Sequence, residues 1–134
     1  MLKLYFVRHG ETLSNTLHTL QGFSDTPLTK AGVQQGKALG RGLAKIPFLK
    51  IITSTSERAY DTACYVRGNR DLEIIMDKGL KEMNFGLKEC QSNTFEGCET
   101  YIERVLYPWD RFEGETMDQL TKRIKACMDR ILKE

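Results

Sequence analysis

The chain has little of several things, and each shortage narrows what it can be. Its 134 residues include only 3 Pro and 11 Gly, which excludes a collagen-like or low-complexity polymer. The net charge is +2, too small an excess to imply a nucleic-acid partner, so any preference for anions must come from local clustering. No apolar run approaches the roughly 18 residues that span a bilayer. The N-terminus holds one Lys, about four apolar residues and then Arg8-His9, too short a core for a signal peptide. The four cysteines, Cys64, Cys90, Cys98 and Cys127, form no C-x-x-C pair and have no neighbouring His. They read as reduced thiols of a cytoplasmic protein, and no metal site is expected. Histidine is the scarcest chemistry-bearing residue, with 2 copies, His9 and His18.

What is present suits one globular domain over 1–134, with 40% hydrophobic residues and enough length to bury a core. Residues 2–7 read as a buried strand, apolar, aromatic and branched. The polar stretch from Gly10 to Pro27 reads as a long functional loop with one helical turn. A helix follows, with Thr29 as N-cap. It carries Gly32, Gly36 and Gly40 on one face, at a cost of roughly 1 kcal/mol each. That spacing predicts close approach to a sheet. Residues 48–55 and 72–77 read as strands, with a helix opened by Ser56 between them. Residues 80–113 are irregular, with a short helix around 99–106. From Gly114 the sequence reads as a helix with a capping box, Thr116 and Gln119, and an apolar stripe of Met117, Leu120, Ile124, Cys127, Met128 and Ile131 that is expected to pack in the core. The order β-α-β-α-β-…-α predicts an α/β fold: three layers, α/β/α, around a mainly parallel sheet.

In open α/β sheets ligands bind beyond the carboxyl ends of the strands. The first strand delivers Arg8, His9, Gly10, Glu11, Thr12 and Asn15 to that rim. The second delivers Ser54, Thr55, Ser56 and Arg58, and the third Lys81 and Glu82. Arg forks match phosphate oxygens and stay charged. An imidazole is a nucleophile able to carry a phosphoryl group. A Glu can protonate a leaving alkoxide. Gly10 lets backbone approach a phosphate closely, and Asn15 either orients the His or donates to a phosphate oxygen. Taken singly, Arg58 and Glu82 read as surface residues, and His18 as an exposed loop residue. Together, four residue types meet at one topological position, which singles out this rim as a phosphoryl site.

These residues resemble a known signature. "RHGET" with Asn15, then "LQGFSDTPLTKAG", "TSTSERAYDTA", "LKEMNFG" and "GETMDQLTKRI" are similar, in order, to the motifs of the histidine phosphatase superfamily, the phosphoglycerate mutase-like family. The likeness covers nearly all of residues 2–134. It implies that His9 is the nucleophile that becomes phosphorylated, that Arg8 and Arg58 clamp the transferring phosphate, and that Glu82 is the proton donor. It also implies that Thr12, Asn15 and the Gln21-Gly22 backbone belong to the phosphate pocket. No metal or organic cofactor is implied for the phosphatases, while some mutases need a bisphosphoglycerate primer. The implied partner is a small phosphorylated metabolite, with no nucleic acid and no membrane.

One element departs from the family pattern. A second catalytic His, in a Ser-His-Gly type motif on a strand after the last helix, has no counterpart here. By analogy with oxyanion holes, losing one such donor costs roughly 10²–10³ in rate. The domain is therefore expected to be C-terminally incomplete, with an unpaired edge at residues 2–7. A fragment, a truncated product or a homodimer completing the edge are the three accounts, and a truncated product is preferred. Residues 87–113 are short and net acidic, with Glu89, Glu96, Glu99, Glu103 and Glu113 against Lys88, Arg104 and Arg111. That favours hydrolysis of small phosphate monoesters over mutase activity. The alternative from another class is a phosphate-binding homologue without turnover.

Overall fold

Ile51–Thr53 (β1) and Ile74–Met76 (β2) are runs of mostly β-branched residues, stiff side chains that fit a pleated surface. They pair in parallel, Ile51 opposite Ile74 and Thr53 opposite Met76. A parallel pair needs a crossover, and the helix Glu57–Arg67 provides it. A computed structural model describes residues 2–133. In chain order its helices are α1 (Leu13–Thr16), α2 (Lys30–Gly42), α3 (Glu57–Arg67), α4 (Tyr101–Leu106) and α5 (Met117–Ile131). Single 3-10 turns lie at Lys78–Leu80, Gly86–Lys88 and Trp109–Phe112.

The helix starts follow the capping chemistry legible in the sequence. The Thr29 hydroxyl accepts from the Gly32 N–H at 3.0 Å. Thr116 and Gln119 exchange side-chain and backbone bonds at the start of α5. Ser56 opens α3 without a side-chain cap bond. Instead, Asp25 reaches across from the long loop and its Oδ2 accepts from the Glu57 N–H at 2.5 Å.

Three expectations are corrected. Residues 2–7 form no ladder with β1 or β2. Their side chains are exposed, Phe6 by 81%, and Tyr5 is held by an edge-on contact with Phe48 at 5.2 Å. A strand gains its stability from a neighbour's hydrogen bonds, and among the described residues this segment has none. The close approach of Gly32 and Gly40 is not to a sheet. A Cβ on Gly32 would lie 2.1 Å from the Glu11 carbonyl oxygen, and one on Gly40 would lie 2.4 Å from that of Tyr65. The glycine face of α2 thus seats the loop after His9 and the back of α3. The stripe of α5 is only partly covered: Cys127 is fully buried, Leu120 half-buried, and Met117 and Ile124 are exposed.

The core gathers Leu20, Met83, Phe85, Cys98 and Trp109, with Phe95, Tyr107 and Leu120 against it. Phe85 and Trp109 meet edge-on at 4.7 Å, a preferred aromatic geometry. The indole N–H is satisfied by the Arg104 carbonyl at 2.8 Å. This cluster orders the segment 83–112, which has no readable period in sequence. The four cysteines are free.

Candidate active site

Gly10 follows His9 and is buried against α2, where a Cβ would lie 2.4 Å from the Gly32 carbonyl oxygen. Its N–H donates to the Thr62 hydroxyl at 3.1 Å, and that hydroxyl donates to the Arg58 carbonyl at 2.7 Å. Thr62 therefore ties the His9 loop to the first turn of α3. The His9 ring is half-buried, and its Nδ1 lies 2.7 Å from the Gly10 carbonyl oxygen. A carbonyl only accepts, so the hydrogen sits on Nδ1 and the lone pair of neutral imidazole sits on Nε2. Burial holds the imidazole below its ordinary value of 6.5; the Gly10 bond opposes this, the Arg58 and Arg8 cations add to it, and Glu82 opposes it. The other three expected catalytic groups, Arg8, Arg58 and Glu82, thus lie within electrostatic reach of the His9 ring.

Arg58 is buried at 2% exposure, not on the surface. Its Nη1 donates to the Ser24 carbonyl at 3.0 Å and to Asp25 Oδ1 at 2.9 Å. Its Nη2 donates to the carbonyls of Gly22 at 3.0 Å and Gln21 at 3.4 Å. The Nε is buried with no hydrogen-bond partner, a state it shares with Arg104 Nε among the described residues. A buried unpaired donor of a charged group is costly. Arg8 and Glu82 are exposed. Glu82 Oε1 accepts from the Met83 N–H at 2.8 Å.

The other expected pocket residues make a polar network inside the loop. Asn15 Oδ1 accepts from the N–H and hydroxyl of Thr12 at 2.9 and 3.0 Å. Gln21 Nε2 donates to the Thr12 hydroxyl at 3.0 Å, and its Oε1 accepts from the Thr26 N–H at 3.0 Å. The Gly22 N–H is bound by Glu89 Oε2 at 3.0 Å. Behind His9, a cleft of about 90 Å³ is bordered by Gln35, Leu39 and Thr62. Ligand pockets start near about 300 Å³, so this cleft is too small to hold a substrate by itself. Among the described residues no group of three His, Cys, Asp or Glu is placed to hold a metal ion. No helix among them is long and apolar enough to cross a membrane.

Three functional-site neighbours went unread in the sequence. Asp25 pairs with Arg58 and caps α3. Glu89 gathers the N–H groups of Gly22, Phe23, Ser24 and Phe85. Arg123 on α5 donates to the carbonyls of Gly79, Lys81 and Glu82 and pairs with Glu115 at 2.7 Å. Arg123 thereby fixes the backbone that carries Glu82. No local signal marks any of the three, because each also binds groups more than 30 positions away in the chain.

The chain resembles known proteins throughout. The family model of the histidine phosphatase superfamily (branch 1) matches residues 4–134. A Yersinia pestis protein named "Probable phosphoglycerate mutase GpmB" is 33% identical over 98% of this chain and 64% of its own length. The alpha-ribazole phosphatase of Shigella flexneri superposes with a TM-score of 0.80 at 27% identity, over 95% of this chain and 65% of that one. A phosphoglycerate mutase of Bacillus anthracis gives 0.77 at 28% identity, over 92% and 64%. This chain therefore spans just under two thirds of the length of these relatives. The architecture is their α/β fold. With its Arg8-His9-Gly10 rim, buried Arg58 and a matched span of residues 4–134, the chain belongs to the histidine phosphatase superfamily (branch 1).

Proposed function

We propose that the chain carries a phosphoryl-transfer site that works through phosphohistidine at His9 and hydrolyses small phosphate monoesters. The observation that carries this reading is the 2.7 Å bond from His9 Nδ1 to the Gly10 carbonyl. It leaves the lone pair on Nε2 of a ring whose surroundings disfavour protonation, so the nucleophilic nitrogen stays free of a proton. Nε2 attacks phosphorus, a P–N bond forms, and the ester P–O bond breaks. Glu82 gives its proton to the leaving alkoxide. Water then attacks the phosphohistidine, Glu82 takes one of its protons, and the P–N bond breaks to release phosphate. Arg8 and Arg58 neutralise the transferring oxygens, and the unpaired Arg58 Nε–H is the donor available for one of them. Thr12, Asn15, Gln21 and Gly22 shape the loop that borders this phosphate.

A second reading, mutase activity on phosphoglycerate, is favoured by the name of the 33% identical relative. The acidic segment 87–113 favours hydrolysis, since a carboxylated substrate would meet like charge there. We place the protein in the cytoplasm, a reading supported by its four free thiols, and treat 1–134 as one domain. A homodimer through residues 2–7 is supported by the exposed Leu2, Leu4 and Phe6.

The test is intact-mass detection of a phosphoryl adduct after mixing with an aryl phosphate, with His9→Ala as control. One added phosphoryl group on the wild type alone is expected. A folded wild-type chain that never acquires it overturns the reading. Feeding 3-phosphoglycerate separates the two activities, by free phosphate or by rearranged product.

A further inference from the structure

Glu89 sits just after the turn Gly86–Lys88, half-buried, on the far side of the long loop from Arg58. Its Oε1 accepts from the N–H groups of Phe23 at 2.7 Å and Phe85 at 3.1 Å. Its Oε2 accepts from the N–H groups of Gly22 at 3.0 Å and Ser24 at 3.2 Å, and from the Ser24 hydroxyl at 2.5 Å. Burial raises its affinity for a proton, and the bonds from Ser24, Gly22, Phe85 and Phe23 outweigh this, so the carboxyl is held below its ordinary value of 4.5.

The other ends of the same peptide units hold Arg58. The unit joining Gly22 to Phe23 gives its N–H to Glu89 and its carbonyl to Arg58 Nη2 at 3.0 Å. The unit joining Gln21 to Gly22 does the same, with its carbonyl 3.4 Å from Arg58 Nη2. In a trans peptide the N–H and C=O point in opposite directions. Two consecutive amides are therefore sandwiched between a half-buried carboxylate and a buried guanidinium. Each charge polarises the amide toward the other, so the bonds strengthen one another.

We propose that Glu89 is a positioning residue for Arg58, acting through the peptide units from Gln21 to Phe23. It fixes where the guanidinium stands and hence where its free Nε–H points. The idea rests on the reading of Arg58 as a phosphate clamp. A neutral carboxamide cannot replace the carboxylate. Whichever of the two positions becomes NH₂, at least two backbone N–H groups face a donor where they faced an acceptor.

The experiment follows the Arg58 Nε–H signal by ¹H–¹⁵N NMR, assigned by its loss in Arg58→Lys, together with titration by inorganic phosphate. Glu89→Gln is expected to speed exchange of that N–H with water, and to weaken phosphate binding, each on the order of tenfold. In the Arg58→Lys background the same substitution should change phosphate affinity by less than about twofold, because coupled residues are not additive. An unchanged Arg58 signal in folded Glu89→Gln overturns the proposal, as does an equal loss of affinity in both backgrounds. Should Glu89→Gln not fold, Ser24→Ala decides: it removes a single donor, and it must shift Arg58 exchange in the same direction or the proposal fails. A wild type that ignores phosphate while Arg58 exchange still responds to Glu89→Gln refutes the clamp reading and leaves the positioning role standing.

Discussion

Replacing Asp25 by Ala is the most exacting check on how Arg58 is held. The carboxylate makes two separate contributions. Oδ1 pairs with Arg58 Nη1 at 2.9 Å, where the Arg58 side chain is 3% exposed and that of Asp25 26%. Oδ2 caps the first N–H of α3 in place of the Ser56 hydroxyl, which makes no cap bond. Breaking a fully buried pair costs about 3–5 kcal/mol, because one charge is left uncompensated. Here Asp25 is partly wetted and Arg58 keeps three carbonyl acceptors, so the cost falls below that range, at about 2–3 kcal/mol. The lost cap adds about 1 kcal/mol. For a chain of this size each kcal/mol moves Tm by about 3–4 °C, so Asp25→Ala should lower Tm by about 10–15 °C. In an Arg58→Met background only the cap is lost, about 1 kcal/mol. Thermal unfolding followed by circular dichroism reads both values. A drop below about 3 °C for Asp25→Ala, or the same loss in both backgrounds, refutes the assignment of Asp25 as the counter-charge.

Two further outcomes are expected. NMR titration should find His9 with a midpoint below 6.5; Arg58→Ala should raise it by removing a cation, and Glu82→Gln should lower it by removing an anion. Because the folded value is depressed, the folded state sheds the proton first. Stability is fully present above the unfolded value and declines as pH falls from 6.5 through the lower folded value; a midpoint at or above 6.5 contradicts this. Gly22→Ala would put a Cβ 1.8 Å from the Met83 carbonyl oxygen and 2.7 Å from Glu89 Oε1. The backbone must move, costing about 1–3 kcal/mol, and urea unfolding with an unchanged midpoint would show that the loop is not packed as described.

Local chemistry made much of this protein legible before any coordinates. Thr29, Thr116 and Gln119 cap where their side chains reach only three residues along the chain. The Ile-rich runs ending at Thr53 and Met76 pair in parallel because a helix separates them. β1 and β2 then lead into the segments that carry Arg58 and Glu82, as α/β topology places functional loops beyond the strand ends.

What only tertiary structure decided are the relations across long separations. The acidic stretch 87–113 looks uniform in composition, yet Glu89 alone within it turns back onto Gly22, Phe23 and Ser24, more than 60 residues earlier. Asp25 caps a helix 32 residues away, and Arg123 on an ordinary amphipathic helix holds the backbone of Glu82. An isolated Asp, Glu or Arg looks the same in sequence whether it faces water or a buried partner. Residues 2–7 make the converse point. Their composition is that of a strand, but a strand is a relation between two segments, and burial and pairing are set by what lies alongside.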